Sequence, residues 1–196
     1  MEKLLKIPYT VFNNNWDLLQ QFLERRGNPR YELVGDVDLN KLKHITNIGD
    51  LARYLNSNRS AFESLGNLVR VDGYLDLIGT PIQSLGNLEY VGGNLGLRRT
   101  SIKSLDNLKY VGGYLDLIST PIESLGNLEY VGGNLDLEST PIKTLNNLEY
   151  VGGELNLIGT QIKFLGNLKK VDGIIFLSKN HNIPEKELTK FKIEYI

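Results

Sequence analysis

From residue 71 the chain repeats one apolar pattern every twenty positions: Val, then Leu-x-Leu, then Ile, Leu and Leu, as in VGGYLDLISTPIESLGNLEY at 111–130. Five units run without insertion, 71–90, 91–110, 111–130, 131–150 and 151–170, with half-units on either side. In Leu75-Asp76-Leu77, Leu95-Gly96-Leu97, Leu115-Asp116-Leu117, Leu135-Asp136-Leu137 and Leu155-Asn156-Leu157 the alternation has a period of two. That predicts short strands with their leucines inward. A strict period over this length predicts a solenoid, so equivalent strands stack in parallel about 4.8 Å apart. The columns Ile82 to Ile162, Leu85 to Leu165, Leu88 to Leu168 and Val91 to Val171 carry the apolar pattern round the coil and close one continuous core.

The fixed polar positions fall where the chain must turn. Thr80, Thr100, Thr120, Thr140 and Thr160 follow the strands, and Asn67, Asn87, Asn107, Asn127, Asn147 and Asn167 mark a second corner. Corners leave backbone groups unpaired, so these side chains are expected to bond the neighbouring coil. Gly93, Gly113, Gly133 and Gly153 predict a bend needing positive φ or close backbone approach. No helix follows the glycine pair, so it is poor evidence for phosphate binding.

An open stack of parallel strands has two raw edges that need covering. Residues 1–60 are expected to form one cover. Asn15 can N-cap a helix over about 15–26, with Trp16, Leu19, Phe22 and Leu23 on one face, Gly27 ending it and Pro29 preventing resumption. The segment 31–39 alternates as a strand whose Val37-Asp38-Leu39 resembles the repeat strand. Val37 then pairs with Leu75 across an insertion near 41–58, a helical pattern with Ile48, Leu51 and Leu55 that is either a cap or a binding element. The solenoid itself spans 61–178. After Ile175-Phe176-Leu177, residues 179–196 are expected to form a second cover, with a short helix from Glu185 to Phe191 and with Phe191, Ile193 and Ile196 on the last coil.

The repeated V-[GD]-G-x-L-x-L-x-x-T-x-I-x-x-L-x-N-L resembles the leucine-rich-repeat superfamily. Threonine stands at the corner where that family has asparagine, and Asn180 restores asparagine in the final half-unit. The "VGGYLDL…TPIESLGNLEY" form is closest to the L domain of growth-factor receptors. The resemblance implies a mostly-β α/β-solenoid, a right-handed parallel coil stack with helical caps, in one structural domain. Near-identical short units also resemble repeat proteins of bacterial and phage genomes.

Composition narrows the function classes. Lys and Arg number 22 against 23 Asp and Glu, a formal net charge of −1, so no global basic field draws nucleic acid or a membrane surface. No cysteine is present, which excludes disulfides, thiolate metal sites and a cysteine nucleophile, and favours a reducing compartment. No apolar run reaches the roughly 20 residues of a membrane span. A soluble cytoplasmic protein is expected, or one in the host cytoplasm or a virion if phage-encoded. His44 and His181 are the only histidines, far apart and outside any metal-ligand spacing, so neither a histidine triad nor a metal or other cofactor is expected.

Fifteen of twenty positions are identical between 111–130 and 131–150, and coil closure accounts for the fixed ones. The changing positions face outward. Beside the main strand they read Tyr74, Asn94, Tyr114, Asn134, Glu154 and Ile174; then Asp76, Gly96, Asp116, Asp136, Asn156 and Phe176; then Ile78, Arg98, Ile118, Glu138, Ile158 and Ser178. The middle column stacks like charges, either a site for a basic partner, a cation or sugar hydroxyls, or a solvated face carried along by duplication. Aromatic and aliphatic side chains among the acids have the composition of an interface. Another column, Tyr90, Tyr110, Tyr130 and Tyr150 between Arg70 and Lys170, is either a recognition strip or a register-setting ladder. The expected function is non-catalytic protein binding by a monomer through the strand face. The alternatives are assembly through the caps and glycan binding or carbohydrate hydrolysis, with Asp116 and Asp136 as the candidate acid and base.

Overall fold

The computed structural model describes residues 4–12, 15–39 and 63–196. The insertion expected at 41–58, with Ile48, Leu51, Leu55 and also His44, lies outside them. The described chain is a mostly-β parallel solenoid of about six coils with two short helices.

Two parallel eight-stranded sheets form its walls. The leucine sheet contains the expected strands, Leu75–Asp76, Leu95–Gly96, Leu115–Asp116, Leu135–Asp136 and Leu155–Asn156, in register coil on coil. The valine sheet was not expected: Tyr90–Val91, Tyr110–Val111, Tyr130–Val131, Tyr150–Val151 and Lys170–Val171 pair in the same way. A third side is held by single bridges such as Ser104 to Ser124. All six apolar columns point between these walls, and from Val71 to Val151 their side chains are almost wholly buried.

The glycine pair makes the corner between the sheets. A Cβ on Gly132 would stand 2.2 Å from the carbonyl oxygen of Gly112, and one on Gly112 would stand 2.1 Å from that of Gly92. Close backbone approach is therefore the reason for glycine here. Positive φ occurs at two other places: the turn after the leucine strand, where Gly79, Arg99, Ser119, Ser139 and Gly159 are all left-handed, and the position before each corner asparagine, from Gly66 and Gly86 through Asp106, Gly126 and Asn146 to Gly166.

Threonine and asparagine divide the corner work differently from expectation. Each Thr Oγ1 donates within its own coil, as Thr120 does to the Leu117 carbonyl at 2.7 Å, rather than to the neighbouring coil. The asparagines do reach between coils: Asn87 Nδ2 donates to Asn67 Oδ1 at 2.9 Å and Asn107 Nδ2 to the Gly86 carbonyl at 3.0 Å.

At the N-terminal end, helix α1 spans Trp16–Glu24, shorter than 15–26 because Gly27 turns left-handed and the chain unwinds before it. Asn15 Oδ1 accepts from the Asp17 and Leu18 N–H groups, while Trp16, Leu19 and Leu23 are buried. The single strand expected at 31–39 is two: Tyr31–Val34 in the valine sheet and Val37–Asp38 in the leucine sheet, divided by Gly35 and Asp36. Val37 pairs with Leu75 as the offset required. An additional strand, Leu5–Pro8, pairs with Tyr31–Val34 and adds an edge to the valine sheet. Buried Glu32 ties this cap to the first coil, 3.4 Å from Lys6 Nζ and 3.3 Å from Arg70 Nε.

At the other end, helix α2 covers only Glu185–Leu188, because the chain then forms a strand, Lys192–Tyr195, parallel to Ile174–Leu177. Glu187 Oε2 accepts from the Leu165 N–H and Lys190 Nζ donates to the Leu168 carbonyl, so side chains satisfy backbone groups of the last coil. Phe191 and Ile193 pack on the core. Ile196, expected to join them, is exposed, since pairing the strand carries the chain end past the coil.

Two substitutions test this backbone logic. Gly132→Ala forces a methyl onto a backbone carbonyl that cannot move aside, and at least about 2 kcal/mol is expected to be lost. Ser119→Gly relieves a left-handed penalty of about 1–2 kcal/mol against a glycine entropy cost of about 0.5–1 kcal/mol. The net gain is then about 0.5 kcal/mol, and urea midpoints of the two variants should move in opposite directions.

Candidate functional site

The leucine sheet positions all the outward residues singled out by sequence, but only two of their three columns beside or within strands. Tyr74, Tyr114 and Glu154 precede the strands, while Asp76, Asp116, Asp136 and Phe176 lie in them. Ile78, Arg98, Ile118 and Glu138 sit in the following turn, because each strand is only two residues long in this part of the stack.

The middle column is turned toward its own backbone. Asp76 Oδ1 accepts from the Ile78 N–H at 3.0 Å, Asp116 from Ile118 at 3.1 Å, Asp136 from Glu138 at 3.1 Å, and Asn156 from Ile158 at 3.1 Å. Each shapes the turn that follows its strand. Asn94 and Asn134 do similar work between coils, accepting from the Tyr114 and Glu154 N–H groups at 2.8 and 2.9 Å. Asp116 is buried and its Oδ2 lies 3.1 Å from Arg98 Nε, so the acid nearest the middle of the face is neutralised. An ion-paired, buried Asp116 is poorly disposed to act as acid or base with Asp136.

What remains on the surface is relief. Over the first four coils tyrosine alternates with asparagine, at Tyr74, Asn94, Tyr114 and Asn134, while beside them the apolar Ile78, Ile118 and Ile158 alternate with the charged Arg98 and Glu138. Over these coils the structural unit of twenty residues carries a surface unit of forty, which ends at Glu154, where a third tyrosine would stand. Tyr74 and Ile78, then Tyr114 and Ile118, make ridges two coils apart, about 9.6 Å at the spacing of parallel strands.

One slot lies between these ridges and a second on the far side of Tyr114, so that Tyr114 is a wall of both. The first, about 580 Å³ and open to solvent, is lined by Tyr74, Ile78, Asn94, Gly96, Tyr114 and Asp116 over a floor of Leu75 and Leu95. Gly96 supplies the depth. The second, about 420 Å³, is lined by Tyr114, Asn134, Asp136, Glu154, Asn156 and Phe176. The Tyr114 phenol is pushed up to about 12, chiefly by burial and further by the carboxylates of Asp116 and Asp136.

Compared with protein-family models, with curated proteins and with solved structures, the chain matches none. The site must therefore be interpreted from its own geometry.

Other candidates make contacts within the stack. Tyr90, Tyr110, Tyr130 and Tyr150 stack at 4.6, 4.7 and 4.8 Å, with the Arg70 guanidinium 3.5 Å above the first ring and Lys170 Nζ 5.5 Å from the last. Their ring edges lie over the glycine corner, Tyr130 Cε1 falling 3.3 Å from where a Gly132 Cβ would be. His181 belongs to the C-terminal cap, where Nδ1 accepts from the Ile183 N–H. Among the described residues no group of three or more His, Asp or Glu is placed to hold a metal ion. Nor is any described helix long and apolar enough to cross a membrane.

The turn-shaping role of the acidic column predicts that Asp136→Asn keeps stability within about 0.5 kcal/mol, as Asn156 does the same work, whereas Asp136→Ala loses about 1 kcal/mol. Chemical denaturation of the pair checks this. Tyr114 supplies a pH prediction. Its folded pKa stands above an unfolded value near 10, so its contribution to stability is intact below about pH 10 and is lost as the pH rises toward about 12. Between those limits wild type should lose more stability than Tyr114→Phe.

Proposed function

We propose that this protein is a non-catalytic binding module that docks another protein on the leucine-sheet face. The observation that carries this is the ridge-and-slot relief of Tyr74, Ile78, Tyr114 and Ile118, which coil closure does not require. Neighbouring coils place Asn94 and Arg98 at the same positions and stack in the same register. Partly exposed aromatic and aliphatic side chains on a rigid sheet, with acids around them, suit protein recognition. Tyr74 is 38% exposed in this setting.

Sugar recognition is the weaker reading, because the acids and amides that would meet hydroxyls already accept from backbone N–H groups. Assembly through the caps is disfavoured by the edge strands. Leu5–Pro8 carries Lys6 and a proline without an N–H, and Lys192–Tyr195 carries Lys192 and Glu194. Charges and proline on an edge discourage addition of further strands. A monomer follows from this reading.

We also infer kinship with the leucine-rich-repeat solenoids of L-domain type, supported by Leu-x-Leu strands stacked in parallel and by asparagine side chains bonding from coil to coil. The absence of cysteine supports action in a reducing compartment such as the cytoplasm.

Selection from a random dodecapeptide library displayed on phage tests the binding face. Peptides should be enriched on wild type and lose at least tenfold in affinity for Tyr74→Ala/Tyr114→Ala, while light scattering shows a monomer of 22.1 kDa. Enriched peptides indifferent to both tyrosines, or a concentration-dependent multimer, would overturn the reading.

A further inference from the structure

The cation that the face already holds shows what its second slot lacks. Resting on the binding-face reading, we propose that the slot between Tyr114 and Phe176 receives an arginine side chain of the docked protein, its guanidinium meeting the carboxylates of Asp136 and Glu154.

The first reason is a precedent within the chain. Arg98 reaches from the turn of one coil to the acid of the next, its Nε 3.1 Å from Asp116 Oδ2. Burial and the nearby carboxylates push the Tyr114 phenol up, and the same Arg98 guanidinium, hydrogen-bonded to it, acts against them. The face thus already seats one guanidinium between an acid of the middle column and Tyr114. One coil on, the residue equivalent to Arg98 is Ile118, and the equivalent acid is Asp136. Among the described residues no cation forms an ion pair with Asp136, Glu138 or Glu154. Their hydrogen bonds come from amides instead: Asp136 Oδ1 accepts from the Glu138 N–H, Glu138 Oε2 from Asn156 Nδ2 at 3.2 Å and Glu154 Oε2 from Asn134 Nδ2 at 3.4 Å. An amide satisfies a lone pair and leaves the charge uncompensated.

The second reason is the lining. The slot crosses the coils from Tyr114 to Phe176 over a floor of Leu135, with Asn134 and Asn156 beside its acids. Phe176 pairs in register with Asn156 and continues the middle column as a ring, so an aromatic side chain stands at each end. A guanidinium packs its plane on such a ring while it donates to a carboxylate, and its stem covers apolar floor. The ammonium of lysine is compact and more strongly hydrated, so it gains less from the same walls. The first slot differs, because its buried acid is already paired with Arg98. Charge over the whole face points the same way. Its three outward columns carry Asp76, Asp116, Asp136, Glu138 and Glu154 against Arg98 alone, a net −4 on a chain whose total is −1. A basic segment is drawn to this side of the molecule.

Titration with N-acetyl-arginine methylamide, followed by backbone amide shifts in NMR spectra, tests the slot. The probe should saturate and shift the amides of Asp136, Glu154 and Phe176. The citrulline analogue, similar in shape but uncharged, should bind at least tenfold more weakly, and the lysine analogue at least threefold. Asp136→Asn/Glu154→Gln should weaken the arginine probe at least tenfold while retaining the turn, since Asn156 makes the same bond. Ile118→Arg should do likewise, because it sets the chain's own guanidinium beside Asp136 at the offset that Arg98 has from Asp116. Chemical denaturation confirms that both variants are folded. Failure of the arginine probe to saturate, equal binding of arginine and citrulline, or binding that survives both variants overturns the proposal. So do shifts confined to Asp76 and Gly96 in the first slot. If the probe fails while library-selected peptides still depend on Tyr74 and Tyr114, the arginine falls and the binding face stands; if those peptides are indifferent to both tyrosines, both fall.

Discussion

The repeating part of this molecule depends on parallel pairing of each coil with its equivalent twenty residues away. Pairing in register sets like residue over like at the strand spacing, so any side chain that suits its own copy is selected in all coils at once. Leucine, isoleucine and valine pack on themselves and become columns. Tyrosine becomes a stack with ring centroids 4.6 to 4.8 Å apart. The same constraint excludes a Cβ from the glycine corner, where one coil's carbonyl lies in the place that a methyl would need.

That constraint also explains the outward acids. Stacked carboxylates would repel if their only role were to face solvent. Each instead accepts an N–H from the turn after its strand, a bond that asparagine makes equally well at 156. Where the column lacks its acid, at Gly96, the next coil's Asp116 becomes the partner of Arg98, and the face gains a slot. A local departure from the repeat thereby creates the recess on which recognition is proposed to rest.

The caps follow a different rule, because they have to end the pairing. The N-terminal cap adds a strand with a proline at its end and anchors it through buried Glu32 between Lys6 and Arg70. The C-terminal cap adds a strand to one sheet and uses the side chains of Glu187 and Lys190 to satisfy backbone groups of the last coil. These irregular ends were partly legible. Asn15, Trp16 and Gly27 announce the first helix, but nothing periodic announces Leu5–Pro8 or Lys192–Tyr195, whose strand character arises only from the edge each one covers.

The amino-acid sequence by itself determined the coil length, the six inward columns and the partner of Val37, because a fixed period leaves the apolar residues one consistent way to be buried. It also identified the outward tyrosines, isoleucines and acids as the positions free to differ. Tertiary structure alone decided that the glycine pair divides two sheets, that Thr120 bonds its own coil, and that Asp76, Asp116 and Asp136 serve the backbone first. Those outcomes depend on where a backbone N–H or carbonyl lies after the coils have stacked, and periodicity in a sequence records which side chains are buried, not which backbone groups they meet.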